Sequence, residues 1–194
     1  KQIKIFKVKN IFFTNFKKFL KIKKILKGKK INIQNNFNTM NKIFAYKKND
    51  YVMNAITGLD GLSPTVKIIK FTKKIAIANK ESIICGWPLI KKELIKNKTE
   101  FIPIDSEHFS IHSLIGKSKN SDIENVYITA SGGPFSKLPL SKFKSITVKS
   151  ALNHPNWKMG KKITIDSATM MNKVFEIIEA KKIFDLNFSK LKIL

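Results

Sequence analysis

Arginine is absent: every one of the 38 basic residues among the 194 is lysine. A protein built to read base edges would use the bidentate guanidinium fork, whose geometry lysine cannot supply, so base-specific recognition of nucleic acid is set aside. Acids are scarce too, 13 in all, which leaves a formal net charge of +25. Cysteine is reduced to Cys85, which excludes a disulfide framework and a thiolate zinc site and fits a reducing compartment. No apolar run approaches the roughly 18 residues that a membrane-spanning helix needs. A soluble globular protein is the expectation.

Apolar residues make up 43% and aromatics 10%, enough for a packed core. This length suits one domain, or one and part of a second. The charge is uneven: residues 1–50 carry 15 lysines against a single acid, Asp50. With Lys17-Lys18, Lys23-Lys24 and Lys29-Lys30, such an arm has the charge to track phosphates or to lie on an anionic membrane surface. Yet lysine, asparagine, isoleucine and phenylalanine are abundant along the whole chain, the pattern of a coding bias toward A and T. Neither nucleic acid nor membrane is therefore expected as a partner. The acid-poor N-terminus has the composition of a targeting peptide but not the apolar stretch and small-residue cleavage site that would follow. The sequence opens on Lys1 and closes inside the apolar run Leu191-Lys192-Ile193-Leu194, so both ends are expected to be cut.

Residues 1–44 alternate short apolar stretches with lysines and read as strand and helix pieces of an α/β layer. From residue 50 the pattern sharpens. Residues 51–56 read as a buried strand, Ser63-Pro64 as the cap and first turn of a helix to about Lys70, and residues 74–78 as a strand. A helix over 82–96 and a strand over 101–104 follow, which is the alternation of a parallel sheet covered by helices. Ligands bind just past the carboxyl ends of such strands, where Asn79-Lys80-Glu81 and Asp105-Ser106-Glu107-His108 fall. Beyond a boundary near residue 105 the reading is α+β. It has a strand at 126–130, a short helix over 141–152, a strand at 163–165, and a helix capped by Asp166-Ser167 that runs to about Phe184.

Asp105 and Glu107 stand two apart at a strand end, where extended backbone would aim both carboxylates at one point. Two such anions need a cation between them, and hard divalent ions prefer oxygen ligands. Acids favoured by a helix N-terminus explain the spacing equally well. Asn172, Lys173 and Glu176 share one helix face by their i,i+4 and i,i+3 spacings, which an ordinary solvated Lys–Glu pair would also produce. Ser131-Gly132-Gly133 permits either a phosphate-binding nest or a plain turn. His154, Trp157 and Gly160 around Pro155 have the composition of a closing flap, or of a surface loop with one aromatic anchor.

Five strings occur in order: Ala78-Asn79-Lys80-Glu81-Ser82, Pro103-Ile104-Asp105-Ser106-Glu107-His108, Ala130-Ser131-Gly132-Gly133-Pro134-Phe135, His154-Pro155-Asn156-Trp157-Lys158-Met159-Gly160, and Asp166-Ser167-Ala168-Thr169-Met170-Met171-Asn172-Lys173. Over roughly residues 50–194 they resemble the 1-deoxy-D-xylulose 5-phosphate reductoisomerase family. The resemblance implies an NADPH-dependent conversion of that sugar phosphate to 2-C-methyl-D-erythritol 4-phosphate in the non-mevalonate isoprenoid pathway. The implied route is a metal-assisted retro-aldol and aldol rearrangement followed by hydride transfer. It implies a manganese, magnesium or cobalt ion held by Asp105, Glu107 and Glu176. Lys80, Ser106, Glu107, Ser131, His154, Trp157, Ser167, Asn172, Lys173 and Glu176 become substrate contacts, with Lys80, Glu107, His154 and Lys173 catalytic. Asn79, Glu81 and Gly160 become NADPH contacts, and Met159 a neighbour of the nicotinamide.

The implied architecture is an α/β fold in two parts. Residues 1–104 form a Rossmann-like NADPH-binding domain incomplete at its N-terminus, and 105–194 an α+β catalytic domain incomplete at its C-terminus. The family's opening Gly-x-x-Gly-x-x-Gly turn has no counterpart, since residues 1–50 hold one glycine, Gly28. Val174 stands where many members have glycine. The chain is thus expected to be the middle of a longer enzyme, inactive alone and homodimeric when whole, in bacterial cytoplasm or alternatively a plastid. A non-catalytic remnant and a basic binding module are the competing classes.

Overall fold

A computed structural model describes residues 2–156 and 158–194, so Trp157 and its expected role over the substrate lie outside the described residues. After a one-turn helix α1 (Gln2–Ile5), the lysine-rich arm folds as β1 (Asn10–Phe12), α2 (Phe16–Ile25), β2 (Asn32–Gln34) and α3 (Met40–Phe44). β1 and β2 pair in parallel with Asn10 opposite Asn32. Asn15 caps α2, its Oδ1 accepting the Lys18 backbone N–H at 3.0 Å, so one of the helix's orphan donors is satisfied.

The next five elements are β3 (Asn49–Asn54), α4 (Leu62–Ile69), β4 (Thr72–Ile77), α5 (Lys80–Asn97) and β5 (Glu100–Pro103). Their strands form a parallel sheet in the order β3-β4-β5. Ile75, Ala76 and Ile77 are consecutive and all buried, because central parallel strands are covered on both faces. β3 is at the edge of this sheet, and Tyr51 and Met53 are 51% and 57% exposed, which corrects the buried strand expected there. The helix expected to be capped by Ser63 begins at Leu62, out of a 3₁₀ turn at Leu59–Gly61, so Ser63 lies inside it. No side chain caps it there; the Thr65 hydroxyl donates to the Gly61 carbonyl at 2.7 Å, and Pro64 occupies the first turn, where its missing N–H costs nothing.

The remainder comprises α6 (Ser106–Ile115), β6 (Val126–Ile128), α7 (Val148–Ala151), α8 (Lys161–Ala168), α9 (Met171–Phe184) and β7 (Leu191–Ile193), with β6 and β7 parallel. The strand expected at 163–165 is helical. The β-branched trio Ile163-Thr164-Ile165 is overridden by local bonds: Thr164 Oγ1 donates to the Gly160 carbonyl at 2.9 Å and Lys162 pairs with Asp166 one turn on at 2.7 Å. Asp166 and Ser167 accordingly belong to the last turn of α8 instead of capping the next helix. Met170, at φ +61°, makes the break before α9. The helix expected over 141–152 is a 3₁₀ turn at Leu140–Ser145 and the separate α7, divided by extended Ile146.

Two apolar cores result, and α9 belongs to both. Ile69, Ile75, Ile83, Trp87 and Ile90 centre the first, with Ile183 of α9 against it. Ile111, Ile128, Ala180, Leu186 and Leu191 form the second. α9 also packs along α5, so burial of one amphipathic helix joins the sheet half to the second half. All strand pairs among the described residues are parallel, an α/β fold.

Candidate active site

The polar clusters meet where the N-termini of α5 and α6 face the first turns of α9. β5 ends at Pro103, and Asp105 occupies the N-cap of α6 without bonding a backbone N–H through its side chain. Glu107 follows in the first turn. The two acids therefore converge through a helix start, not through extended backbone. From across the cavity α9 presents Glu176, and buried His108 ties the two helices, its Nε2 at 2.9 Å from the Glu176 carbonyl oxygen. One oxygen each from Asp105, Glu107 and Glu176 lie within 4.8 Å of one another.

Three anions so close are repelled unless cations stand between them. Lys80 and Lys173 do so. Lys80 Nζ bonds Asp105 Oδ2 and stands 3.6 Å from Glu176 Oε1. Lys173 Nζ pairs with Glu176 Oε2, lies 3.2 Å from Glu107 Oε1, and donates to the Thr129 carbonyl at 2.6 Å. The Asn172 amide donates to Glu176 Oε1 at 2.5 Å, so the shared helix face read from spacing is present. Burial works against the Lys80 ammonium, but the charges of Asp105 and Glu179 outweigh it and hold its pKa above the ordinary lysine value. Burial likewise opposes ionisation of Glu107. A hydrogen bond shared with Asp105, the Ser106 hydroxyl at 2.6 Å, its own backbone N–H and the Lys173 charge prevail and bring it to about 2. Three hard oxygen donors balanced by ammonium charge fit a small divalent cation.

These groups line a cavity of about 510 Å³ that also takes in Ser131, Gly132, Gly133, His154, Met159 and Ser167. Gly132 and Gly133 have φ of +82° and +63°. A Cβ on Gly133 would lie 2.7 Å from the Ser167 carbonyl oxygen, so only glycine lets this loop close on α8. His154 Nδ1 accepts the Asn156 backbone N–H at 3.2 Å. In the neutral ring the proton is then on Nε2, which is 3.5 Å from Ser131 Oγ. Nine of the ten residues expected at the substrate line this one cavity, the tenth being Trp157.

The three residues expected at NADPH lie off its lining. Asn79 caps α5: its Oδ1 accepts the Ser82 N–H at 2.5 Å, while its amide donates to the Ile56 carbonyl and, at 2.7 Å, to that of Gly58. Glu81, in the first turn of α5, pairs at 3.0 Å with Lys162, which stands just beyond Gly160, the N-cap of α8. Among the described residues none form a glycine-rich strand-to-helix turn.

Sequence reasoning passed over Glu179, and gave His108 a place in the cluster after β5 but no role. Both are buried, and with Asp105 they bring ligand atoms within 4.8 Å of one another. Burial, reinforced by the Asp105 and Glu176 charges and opposed by Lys80, pushes the Glu179 carboxyl up to about 8. The signal was available in the spacing, since Glu179 is i+3 from Glu176.

The family model for the 1-deoxy-D-xylulose 5-phosphate reductoisomerase C-terminal domain matches residues 101–184, and that for 1-deoxy-D-xylulose 5-phosphate reductoisomerase matches residues 1–86. The reductoisomerase of Pelagibacter ubique (strain HTCC1062) is 65% identical over 195 residues, covering 100% of this chain and 50% of the relative. A crystal structure of DOX-P reductoisomerase in complex with NADPH, fosmidomycin and magnesium superposes with a TM-score of 0.82 at 34% identity, over 95% of this chain and 48% of that one. The Zymomonas mobilis enzyme in complex with NADPH gives 0.83 at 31% identity, over 95% and 47%. The chain spans about half the length of the relatives it matches.

Proposed function

The chain belongs to the 1-deoxy-D-xylulose 5-phosphate reductoisomerase family, and from that premise we propose that it serves the reductive isomerisation of 1-deoxy-D-xylulose 5-phosphate to 2-C-methyl-D-erythritol 4-phosphate. The observation that carries this reading is the convergence of Asp105, Glu107 and Glu176 with Lys80 and Lys173 in one cavity with Ser131, His154 and Ser167. Residues 1–104 act as the cofactor-binding part, with Asn79, Glu81 and Gly160 toward the nicotinamide end, and 105–194 as the catalytic part. The working enzyme is a homodimer of bacterial cytoplasm.

Asp105, Glu107 and Glu176 hold a divalent cation, manganese or magnesium. Bound cation supplies Lewis-acid polarisation of neighbouring oxygens for a retro-aldol and aldol rearrangement, and NADPH supplies the hydride that reduces the resulting aldehyde. The protein's own groups do the rest. Ser131, Ser167 and Asn172 donate to the phosphate end and hydroxyls, so binding energy remote from the reacting carbons keeps the two halves of the substrate together. His154 presents its Nε2 proton beside Ser131. Ser106 orients Glu107 through their 2.6 Å hydrogen bond. Lys80, held charged among the carboxylates, and Lys173, beside Glu107 and Glu176, stabilise negative charge that develops on substrate oxygens.

The test is NADPH oxidation by the whole enzyme with 1-deoxy-D-xylulose 5-phosphate, with and without manganese, beside Glu107→Gln. Turnover should require the metal and fall by about 10³-fold in the variant, the worth of several kcal/mol of metal-assisted stabilisation. The 194 residues alone should not turn over. Metal-independent turnover, or full activity in the variant, would overturn the reading.

A further inference from the structure

Lys80 and a divalent cation draw on the same carboxylates. Its Nζ bonds Asp105 and stands 3.6 Å from Glu176, so it covers two of the three groups assigned to the cation. A divalent cation held by the same carboxylates would repel this ammonium at close range, and the lysine has little room to retreat. Its side chain is 15% exposed, and the start of α5 is fixed by the Asn79 cap.

One further carboxyl group already faces this ammonium. Glu179 Oε2 is 3.6 Å from the same Nζ, on a side chain 2% exposed, and it accepts no hydrogen bond among the described residues. His108 does not compete. Its Nε2 faces a carbonyl oxygen, so the neutral ring carries its proton there and leaves Nδ1 without one to donate. Glu179 is also not a fourth member of the cation group, which brings together Asp105, Glu107 and Glu176, whereas Glu179 groups with Asp105 and His108.

We infer that Glu179 is the receiving partner of Lys80: as a divalent cation enters, the ammonium leaves Asp105 and Glu176 and pairs with Glu179. Glu179 is thus a positioning residue, acting through Lys80 on how readily the cation binds. The inference rests on the cation assignment above.

Manganese binding, followed by loss of the free-ion electron paramagnetic resonance signal, separates the two. Folded wild type, Glu107→Gln, Glu179→Gln, Lys80→Met and the Lys80→Met/Glu179→Gln double variant would be titrated. Glu179→Gln should raise the dissociation constant about tenfold, the usual size for a group that supports a metal ligand from behind. Lys80→Met should bind more tightly than wild type, and in that background Glu179→Gln should change affinity less than about twofold, since the coupling runs through the removed lysine. An equal loss in both backgrounds would make Glu179 a direct ligand and overturn the inference, as would no loss in either. Should Glu179→Gln fail to fold, Lys80→Met decides alone: weaker binding than wild type overturns the inference. Equal binding by wild type and Glu107→Gln would instead bring down the cation assignment itself.

Discussion

Replacing Gly133 by alanine separates two costs that the cavity loop imposes. The first is conformational. At φ +63° an L residue is in the left-handed region, which costs about 1–2 kcal/mol. The second is steric: the new Cβ would lie 2.7 Å from the Ser167 carbonyl oxygen and 3.2 Å from its carbon. These are backbone atoms of α8, so relief requires moving the helix or the loop, and overpacking of this kind adds about 1–3 kcal/mol. Gly28→Ala is the control, because Gly28 has φ +83° with nothing within 4 Å of its Cβ position and bears the first cost alone. In urea unfolding followed by tryptophan fluorescence, Gly133→Ala should lose about 3 kcal/mol and Gly28→Ala about 1 kcal/mol. Equal losses would refute the close packing of the Ser131–Gly133 loop on Ser167, and with it the shape of that side of the cavity.

Asn79→Ala removes a cap and two side-chain donations that pin the Ile56 and Gly58 carbonyls. It should cost about 2 kcal/mol in the same assay, with Asn79→Asp in between because the cap survives. In metal-free protein the Glu179 carboxyl, at about 8 when folded against 4.5 as its ordinary value, keeps its proton over a range where the unfolded chain has lost it. The unfolded state then binds fewer protons, so this group lowers stability as pH rises between those values and has no further effect above them. Thermal unfolding in chelator should show Glu179→Gln gaining on wild type from pH 5.5 to 8. A constant difference would contradict the raised carboxyl.

The sheet half was legible because its signals are local. The continuous apolar run ending β4, the Asn79 cap of α5 and the alternation of strand and helix all lie within short windows. The second half was less so, since Ile163-Thr164-Ile165 has strand propensity and becomes helix through bonds to Gly160 and Asp166. The edge position of β3, with Tyr51 and Met53 turned outward, depends on which strand neighbours it, and its own composition is that of a buried strand. In the site, Asn172, Lys173 and Glu176 could be grouped from helical spacing. Which acids they would meet could not, because that depends on α9 packing between two cores. Glu179 went unnoticed for the same reason: a glutamate one turn further on is unremarkable until its neighbours prove to be Lys80 and Asp105.

The proposed function depends on Asp105, Glu107 and Glu176 forming the seat of a divalent cation, their charge being offset by Lys80 and Lys173 in its absence. Anomalous diffraction from manganese-soaked crystals tests it most directly. A single strong peak is expected within about 2.2 Å of one oxygen from each of the three carboxylates, with Lys80 Nζ drawn off Asp105 toward Glu179. No peak there at saturating manganese, with Lys80 still on Asp105, would contradict it.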